Sequence, residues 1–209
     1  MESAILPDPR SHAVGRCRLL GRFLLTMSVF IAGGNGWQTV AAEPPPRSPL
    51  MGSSPHFYVP PAVSLWDQDG KKVLLPAVLK DGRPLLVNFV FTSCKAICPM
   101  LGHLFSEVSR RLGIQADGVH MVSISIDPEH DSPNRLRDYA QHLGAGPNWN
   151  FYTSTLGDSI EIQKAFGVYR GDKMNHLPVI LVRRRPDGGW IRLEGFTSPT
   201  QVLEALNHG

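Results

Sequence analysis

The chain has 209 residues, of which 42% are hydrophobic and 19% are charged, and its formal net charge is +3. Such a composition is typical of a globular protein that can bury a core, and the length fits one domain with an additional segment. Residues 1–42 hold four arginines and two acidic residues, which leaves a net charge of only +1 for the remaining chain. This nearly neutral body argues against a basic surface for nucleic acid.

The N-terminal residues 1–42 have the pattern of a targeting segment. Three arginines precede the apolar run Phe23–Ala32, glycines follow it, and Val40 and Ala42 place small side chains before Glu43, as at a signal-peptide cleavage site. The apolar run is shorter than the roughly 20 residues of a membrane-spanning helix. We therefore expect a cleaved signal peptide and an exported, periplasmic domain. The alternatives are an uncleaved segment that tethers the domain to the inner membrane and a structured N-terminal helix.

The chain contains three cysteines, and one of them lies in the targeting segment. Cys17 would be lost on cleavage, which leaves Cys94 and Cys98 in the exported domain. A structural disulfide framework uses more cysteines and longer loops, and a bridge that closes so short a ring adds little stability. A close pair of this kind indicates a redox-active or metal-binding site, although a buried structural pair remains the alternative.

Residues 43–61 contain seven prolines and predict an extended linker, so the folded domain spans 62–209. A β-hairpin is predicted around Gln68–Gly70, and the apolar run Pro84–Phe91 predicts a strand that is buried on both faces. Similar patterns predict the following later elements: helix 99–112, strand 120–126, helix 132–143, strand 150–153, helix 159–166, strands 177–183 and 190–194, and helix 200–206.

This order of elements predicts an α/β domain with a central mixed β-sheet, helices on both faces and an N-terminal β-hairpin. The cysteine pair stands at the junction between the first buried strand and the helix that follows it. That position fits a thioredoxin-like architecture, in which chemistry takes place at the carboxyl ends of the strands.

The segment Phe91–Pro99 is the strongest functional signal in the chain. Cys94 follows the strand and Cys98 enters the helix, whose N-terminus, together with Lys95, favours thiolate over thiol. A thiolate is both a nucleophile and a soft ligand that suits Cu(I). The i, i+4 spacing lets both sulfur atoms reach one ion. The pair alone does not separate copper binding from purely redox chemistry.

Two further side chains are predicted at the same edge of the sheet. His176 stands just before a strand, and with two thiolates it would complete a three-ligand copper site, although a lone histidine is more often structural. Asp127 ends the strand next to the cysteine strand and could orient the histidine or Lys95, or serve partner docking. Asp131, in the same loop, is a further candidate, although turn and N-cap chemistry also explains it. Ser132 and Pro133 predict the N-cap and the first position of the helix 132–143.

Taken together, these motifs resemble the Sco/SenC family. The resemblance rests on the CxxxCP motif of Cys94–Pro99, on the Asp-Pro segment Asp127–Pro133, and on His176 ahead of the turn Pro186–Gly188. It implies a thioredoxin-like fold and copper bound by Cys94, Cys98 and His176, with Asp127 as a supporting residue. It also implies assistance in assembling the CuA centre of cytochrome c oxidase, so the partner would be the oxidase subunit that carries this site or a similar copper acceptor.

This chain departs from the common family pattern near the ligands. Lys95 and Ala96 stand where many members have Pro-Asp, and Asn175 stands where an Asp often precedes the histidine. Leu177 and Pro178 follow where a small hydroxyl residue is common. The departures leave the three ligands intact and affect the expected copper affinity and redox potential, because Asn175 cannot support the imidazole as a carboxylate would.

Two functional hypotheses remain open at this point. The first is a copper chaperone with little or no turnover, for which His176 matters as much as the cysteines. The second is an enzyme, a periplasmic thiol–disulfide oxidoreductase that reduces cysteines of an oxidase subunit or another copper protein and is itself reduced by a thioredoxin-like partner. A peroxidase is disfavoured, because a peroxidatic cysteine does not require a second cysteine four residues later. The two main roles are compatible, since Cu(I) binding requires the reduced pair.

Overall fold

The computed structural model describes residues 55–95 and 97–207. The predicted targeting segment, Cys17 and the first part of the predicted linker lie outside these residues. Within them, no helix combines the length and the apolar character that crossing a membrane requires. The strands are β1 Ser64–Asp67, β2 Lys72–Leu74, β3 Leu85–Val90, β4 His120–Ser125, β5 Trp149–Thr153, β6 Val179–Arg183 and β7 Ile191–Glu194. The α-helices are α1 Leu75–Leu79, α2 Ile97–Leu112, α3 Pro133–His142, α4 Leu156–Ala165 and α5 Pro199–Asn207.

The strands form one seven-stranded sheet in the order β2-β1-β5-β4-β3-β6-β7. The three central strands β3, β4 and β5 are parallel, whereas β1, β2, β6 and β7 pair antiparallel with their neighbours. The parallel strands β3 and β4 are buried along their whole length, as strands covered by helices on both faces are. The predicted mixed sheet with an N-terminal hairpin is confirmed.

Alternate residues of the central strands enter two separate cores, one on each face of the sheet. On β3, Val87 and Phe89 belong to the core that also contains residues of α1 and α4, whereas Leu86 belongs to the core that contains residues of α2, α3 and α5. This alternation follows from the period of two along a strand. Cys98 is the exception on α2, because it joins the α1 and α4 core at the end of the sheet.

Several element boundaries differ from the sequence prediction for local reasons. The helix α4 begins at Leu156 rather than 159, because the Thr155 side chain caps it by accepting a hydrogen bond from the N–H of Asp158. The helix α2 begins two residues before Pro99, so Cys98 is already helical. The five-residue helix α1 and the 3₁₀ helix Gly113–Gly118 are too short to produce a helical periodicity, and the sequence prediction missed both.

The end of the predicted linker contacts the folded domain. The backbone of His56 exchanges two hydrogen bonds with Trp190, both 2.8 Å long. The ring of Tyr58 lies 5.2 Å from that of Phe166, centroid to centroid, against the α1 and α4 core. The folded body therefore includes residues on the N-terminal side of 62.

Candidate metal centre

The topology of the sheet brings the predicted site residues to one edge. Strands β3 and β4 run parallel, and β6 runs antiparallel to β3. The carboxyl ends of β3 and β4 therefore lie at the same edge as the beginning of β6. Cys94 follows β3, Asp127 follows β4, and His176 precedes β6, so all three segments meet there.

The cysteine pair is formed by two thiols that differ in exposure. Cys94 is half-buried, whereas Cys98 is completely buried, and the two are not joined by a disulfide. The backbone N–H of Cys98, at the start of α2, donates a hydrogen bond of 3.4 Å to Cys94 Sγ. The positive end of the helix therefore contacts the sulfur of Cys94.

Burial controls the chemistry of Cys98. Burial is the largest of the causes that raise the pKa of the Cys98 thiol to about 12; the neighbouring Cys94 and Asp131 also raise it, and a hydrogen bond with the backbone of Phe91 lowers it. This result contradicts the prediction that the helix N-terminus favours a thiolate at both cysteines, because removing the thiol from water outweighs the helix dipole. Lys95, the other predicted source of positive charge, is exposed. Cys98 is therefore protonated at neutral pH, and a metal ion that binds its sulfur must displace this proton.

His176 is held in a single orientation. Its side chain is buried, and its Nε2 lies 3.0 Å from the carbonyl oxygen of Phe89 in β3. A carbonyl only accepts hydrogen bonds, so Nε2 carries the proton and Nδ1 carries the lone pair. Nδ1 is buried and has no hydrogen-bond partner. Burial lowers the pKa of His176, so the imidazole is neutral at neutral pH. A buried nitrogen with an unused lone pair is suited to bind a metal ion.

Asp127 contacts different residues from those that the sequence suggested. Its carboxylate accepts hydrogen bonds from Lys173 Nζ at 2.6 Å and pairs with His130 Nδ1 at 3.0 Å. Burial raises its pKa, but these two hydrogen bonds outweigh burial, so the pKa of Asp127 lies below its usual value. The contacts of Asp127 therefore reach the histidine segment through Lys173, three residues before His176.

Asp131 is completely buried and joins the cysteine segment to the end of β4. Its carboxylate accepts hydrogen bonds from the Thr92 hydroxyl at 2.5 Å, the Thr92 N–H at 3.1 Å and the Ser125 hydroxyl at 2.6 Å. Thr92 lies two residues before Cys94. The N-cap role that the sequence suggested for this region falls to Ser132, whose hydroxyl accepts a hydrogen bond from the N–H of Arg135.

A single turn, residues 125–131, therefore anchors both segments that carry the predicted ligands. Asp131 holds the cysteine segment, and Asp127 holds the histidine segment. On the helical side, the Tyr139 hydroxyl of α3 donates a hydrogen bond of 3.2 Å to the carbonyl of Cys98. The sequence analysis did not identify Thr92, Tyr139 or Lys173. Asp131 carried a weak signal, since it lies four residues after Asp127 in the same loop.

The three predicted ligands share an edge of the sheet without forming a ready-made coordination cluster. Among residues 55–95 and 97–207, no group of three or more His, Cys, Asp or Glu side chains is placed to hold a metal ion. A cavity of about 390 Å³ lies beside His176, and its lining includes Asp127 and Lys173. The donor set of two thiols and one neutral imidazole fits a soft copper ion.

Comparison with known proteins finds similarity to proteins of one family. The SCO1/SenC family profile matches residues 55–178. The SCO1 protein homolog of Bacillus subtilis is 33% identical over 96 residues, which cover 46% of this chain and 49% of that protein. An SCO2-like protein of Rickettsia conorii is 36% identical over 62 residues, which cover 30% of each chain. The chain thus spans about half or less of the length of these two curated relatives.

Solved structures agree over a larger share of the chain. The structure of Bradyrhizobium japonicum ScoI with copper bound has a TM-score of 0.59 and 25% identity, and the match covers 70% of this chain and 97% of that one. BsSco, described as a member of the Sco family of cytochrome c oxidase assembly proteins, has a TM-score of 0.60 and 26% identity, with coverage of 75% and 98%. The thioredoxin-like fold is confirmed by these neighbours, and the chain belongs to the SCO1/SenC family.

Proposed function

We propose that this protein is a copper chaperone that binds one copper ion through Cys94, Cys98 and His176. In this proposal copper is cargo, which the protein passes to the CuA site of a cytochrome c oxidase subunit or to a similar acceptor. The domain would act in the periplasm, exported by residues 1–42 or tethered to the inner membrane by them. The part of residues 43–61 that precedes His56 would link that segment to the domain, because His56 and Tyr58 contact the folded body.

The observation that carries the proposal is the unused lone pair of His176 Nδ1 at the edge where the two thiols lie. A buried polar atom without a partner is rare and costs free energy, so such an atom calls for an explanation. Metal-binding histidines commonly donate their second ring N–H to a backbone carbonyl, as Nε2 does here with Phe89. Two thiols four residues apart supply the remaining soft ligands.

The comparisons support the same assignment. Copper is bound in the structure of Bradyrhizobium japonicum ScoI, and BsSco is described as belonging to a family of cytochrome c oxidase assembly proteins. Both share the fold of this chain. Membership of the family supports the role of the CxxxCP segment, and the hydrogen bonds of His176 support its selection as the third ligand.

A second function is favoured by the unequal exposure of the two cysteines. The half-buried Cys94 could attack a disulfide of a partner protein and form a mixed disulfide, with release of one partner thiol. Cys98 would then attack Cys94 Sγ as its proton passes to the leaving partner sulfur, which is released as the second partner thiol. Two electrons pass to the partner, and this protein keeps a Cys94–Cys98 disulfide, which a thioredoxin-like protein must reduce. This oxidoreductase activity does not require His176.

Anaerobic titration of the reduced full chain with Cu(I) tests the proposal. We expect one copper per chain and at least a tenfold weaker affinity in His176→Ala, because the variant removes a ligand rather than a more distant support. The matched control is His103→Ala, since His103 is an exposed histidine on α2 and should not change the affinity. An affinity that is unchanged in His176→Ala would point to the dithiol oxidoreductase and would remove His176 from the ligand set.

A further inference from the structure

The segment that carries His176 is a short 3₁₀ helix, Lys173–Asn175, which leads directly to the histidine. The Asp172 side chain caps it by accepting a hydrogen bond of 2.8 Å from the N–H of Met174. The backbone N–H of His176 donates to the carbonyl of Lys173 at 3.1 Å. Because one hydrogen-bonded turn joins the two residues, the place of Lys173 fixes the place of the His176 backbone.

Lys173 lies close to residues at the ends of β3 and β4. Its Nζ lies 2.6 Å from Asp127 Oδ2, just after β4, and 6.0 Å from the centroid of the Phe91 ring, just after β3. The Asp127 side chain is only 6% exposed and that of Lys173 is 34% exposed. This ion pair therefore differs from a surface salt bridge, because removing the lysine leaves a buried carboxylate with the exposed His130 as its remaining side-chain partner.

Asp127 is itself a fixed anchor for this contact. Its backbone N–H donates a hydrogen bond of 3.0 Å to the Ser125 hydroxyl. Its carbonyl accepts hydrogen bonds from the N–H groups of His130 and Asp131, at 3.0 and 2.9 Å. The carboxylate is therefore held by the turn that follows β4, and Lys173 is the side chain that connects this turn to the histidine segment.

We propose that Lys173 is a positioning residue for His176, an inference that rests on the proposed role of His176 as a copper ligand. The Lys173–Asp127 pair holds the backbone of the histidine segment against the ends of β3 and β4. The hydrogen bond that His176 Nε2 donates to the carbonyl oxygen of Phe89 then fixes the imidazole ring. Together they keep the lone pair of Nδ1 unused.

The first test uses the metal-free full chain, so that it does not depend on copper. The nitrogen chemical shifts of the His176 imidazole report which ring atom carries the proton, and hydrogen exchange of the His176 amide reports whether the turn stays closed. We expect a single Nε2–H tautomer in the wild type. In Lys173→Met we expect averaged tautomers and amide exchange about ten times faster or more, because the ion pair that holds the histidine segment is lost.

Two variants serve as controls for this experiment. Lys173→Arg retains the charge and should resemble the wild type. Lys80→Met removes an exposed lysine after α1, at the opposite edge of the sheet, and should also leave His176 unchanged. Asp127→Asn should reproduce Lys173→Met, since it removes the other half of the pair. Unchanged nitrogen shifts and unchanged amide exchange in Lys173→Met would overturn the inference.

Copper affinity supplies a second readout through a double-mutant cycle. Lys173→Met should weaken Cu(I) binding about tenfold in the wild type, as loss of a side chain that supports a ligand does. It should have no further effect in His176→Ala, because Lys173 acts through the histidine. An equal loss in both backgrounds would overturn the positioning role. If His176→Ala bound copper like the wild type, the proposed function would fail, and the metal-free measurement would still decide whether Lys173 positions His176.

Discussion

The affinity of the reduced protein for Cu(I) is expected to rise by at least about tenfold per pH unit, or by at least about 100-fold between about pH 6.5 and about pH 8.5. The cause is the Cys98 thiol, whose pKa burial raises to about 12. Copper binds the thiolate, so binding must release the Cys98 proton throughout this range. Release of this proton alone makes binding about tenfold tighter per pH unit, and any proton that copper displaces from Cys94 makes the dependence steeper.

His176 makes no contribution to this dependence in the same range. Burial lowers its pKa below the usual 6.5, so the imidazole is already neutral and releases no proton when copper binds. The measurement is competition with a Cu(I) chelator whose own affinity is constant over the range. His176→Ala should bind Cu(I) more weakly, with the same dependence of affinity on pH. In Cys98→Ala the dependence should be shallower, because binding releases one proton fewer. A wild-type affinity that is independent of pH would contradict the assignment of Cys98 as a ligand.

Replacing Asp131 with alanine is expected to lower the free energy of unfolding by about 3 kcal/mol. The side chain is completely buried and accepts hydrogen bonds from Thr92 N–H, the Thr92 hydroxyl and the Ser125 hydroxyl. The alanine variant leaves these donors without their acceptor and also leaves a cavity. Urea denaturation of the reduced, metal-free protein measures the effect.

Two variants separate the hydrogen bonds from the charge. Asp131→Asn keeps the shape and one acceptor oxygen, so we expect a loss of only about 1 kcal/mol. Asp138→Ala removes an exposed carboxylate of α3 and should change the free energy of unfolding by less than about 0.5 kcal/mol. A loss in Asp131→Ala no larger than in Asp138→Ala would show that the Asp131 contacts do not stabilise the fold.

The order of the sheet elements was predictable because it depends on local patterns. The apolar run 84–91 became β3, and the Ser132 cap with Pro133 became the start of α3, as expected. Helix α1 was missed because five residues cannot display a helical period. The start of α4 was placed too late because Thr155 was not recognised as its cap.

The edge of the sheet that carries the site was predictable, but its supporting contacts were not. Placing Cys94, Cys98 and His176 together needs only the order of strands and the rule that chemistry lies at their carboxyl ends. The hydrogen bond that Thr92 donates to Asp131 joins residues 39 positions apart, and the one that Lys173 donates to Asp127 joins residues 46 positions apart. No local pattern encodes such contacts.

The protonation state of Cys98 was wrong in the prediction for a related reason. A sequence displays the helix start and Lys95, which are local features that favour a thiolate. It does not display the burial of Cys98 in the core that also contains Phe89 of β3 and residues of α1 and α4. Desolvation depends on tertiary packing, and here it is the reason that the pKa of Cys98 is raised and not lowered.

In the proposed copper site, one ion is bound by Cys94, Cys98 and His176 together. X-ray absorption at the copper edge of the Cu(I)-loaded full chain tests it most directly, because sulfur and imidazole nitrogen scatter differently. We expect two sulfur ligands and one imidazole nitrogen in the wild type, and loss of the nitrogen in His176→Ala. Two sulfur ligands with no imidazole in the wild type would contradict it and would leave a dithiol site without His176.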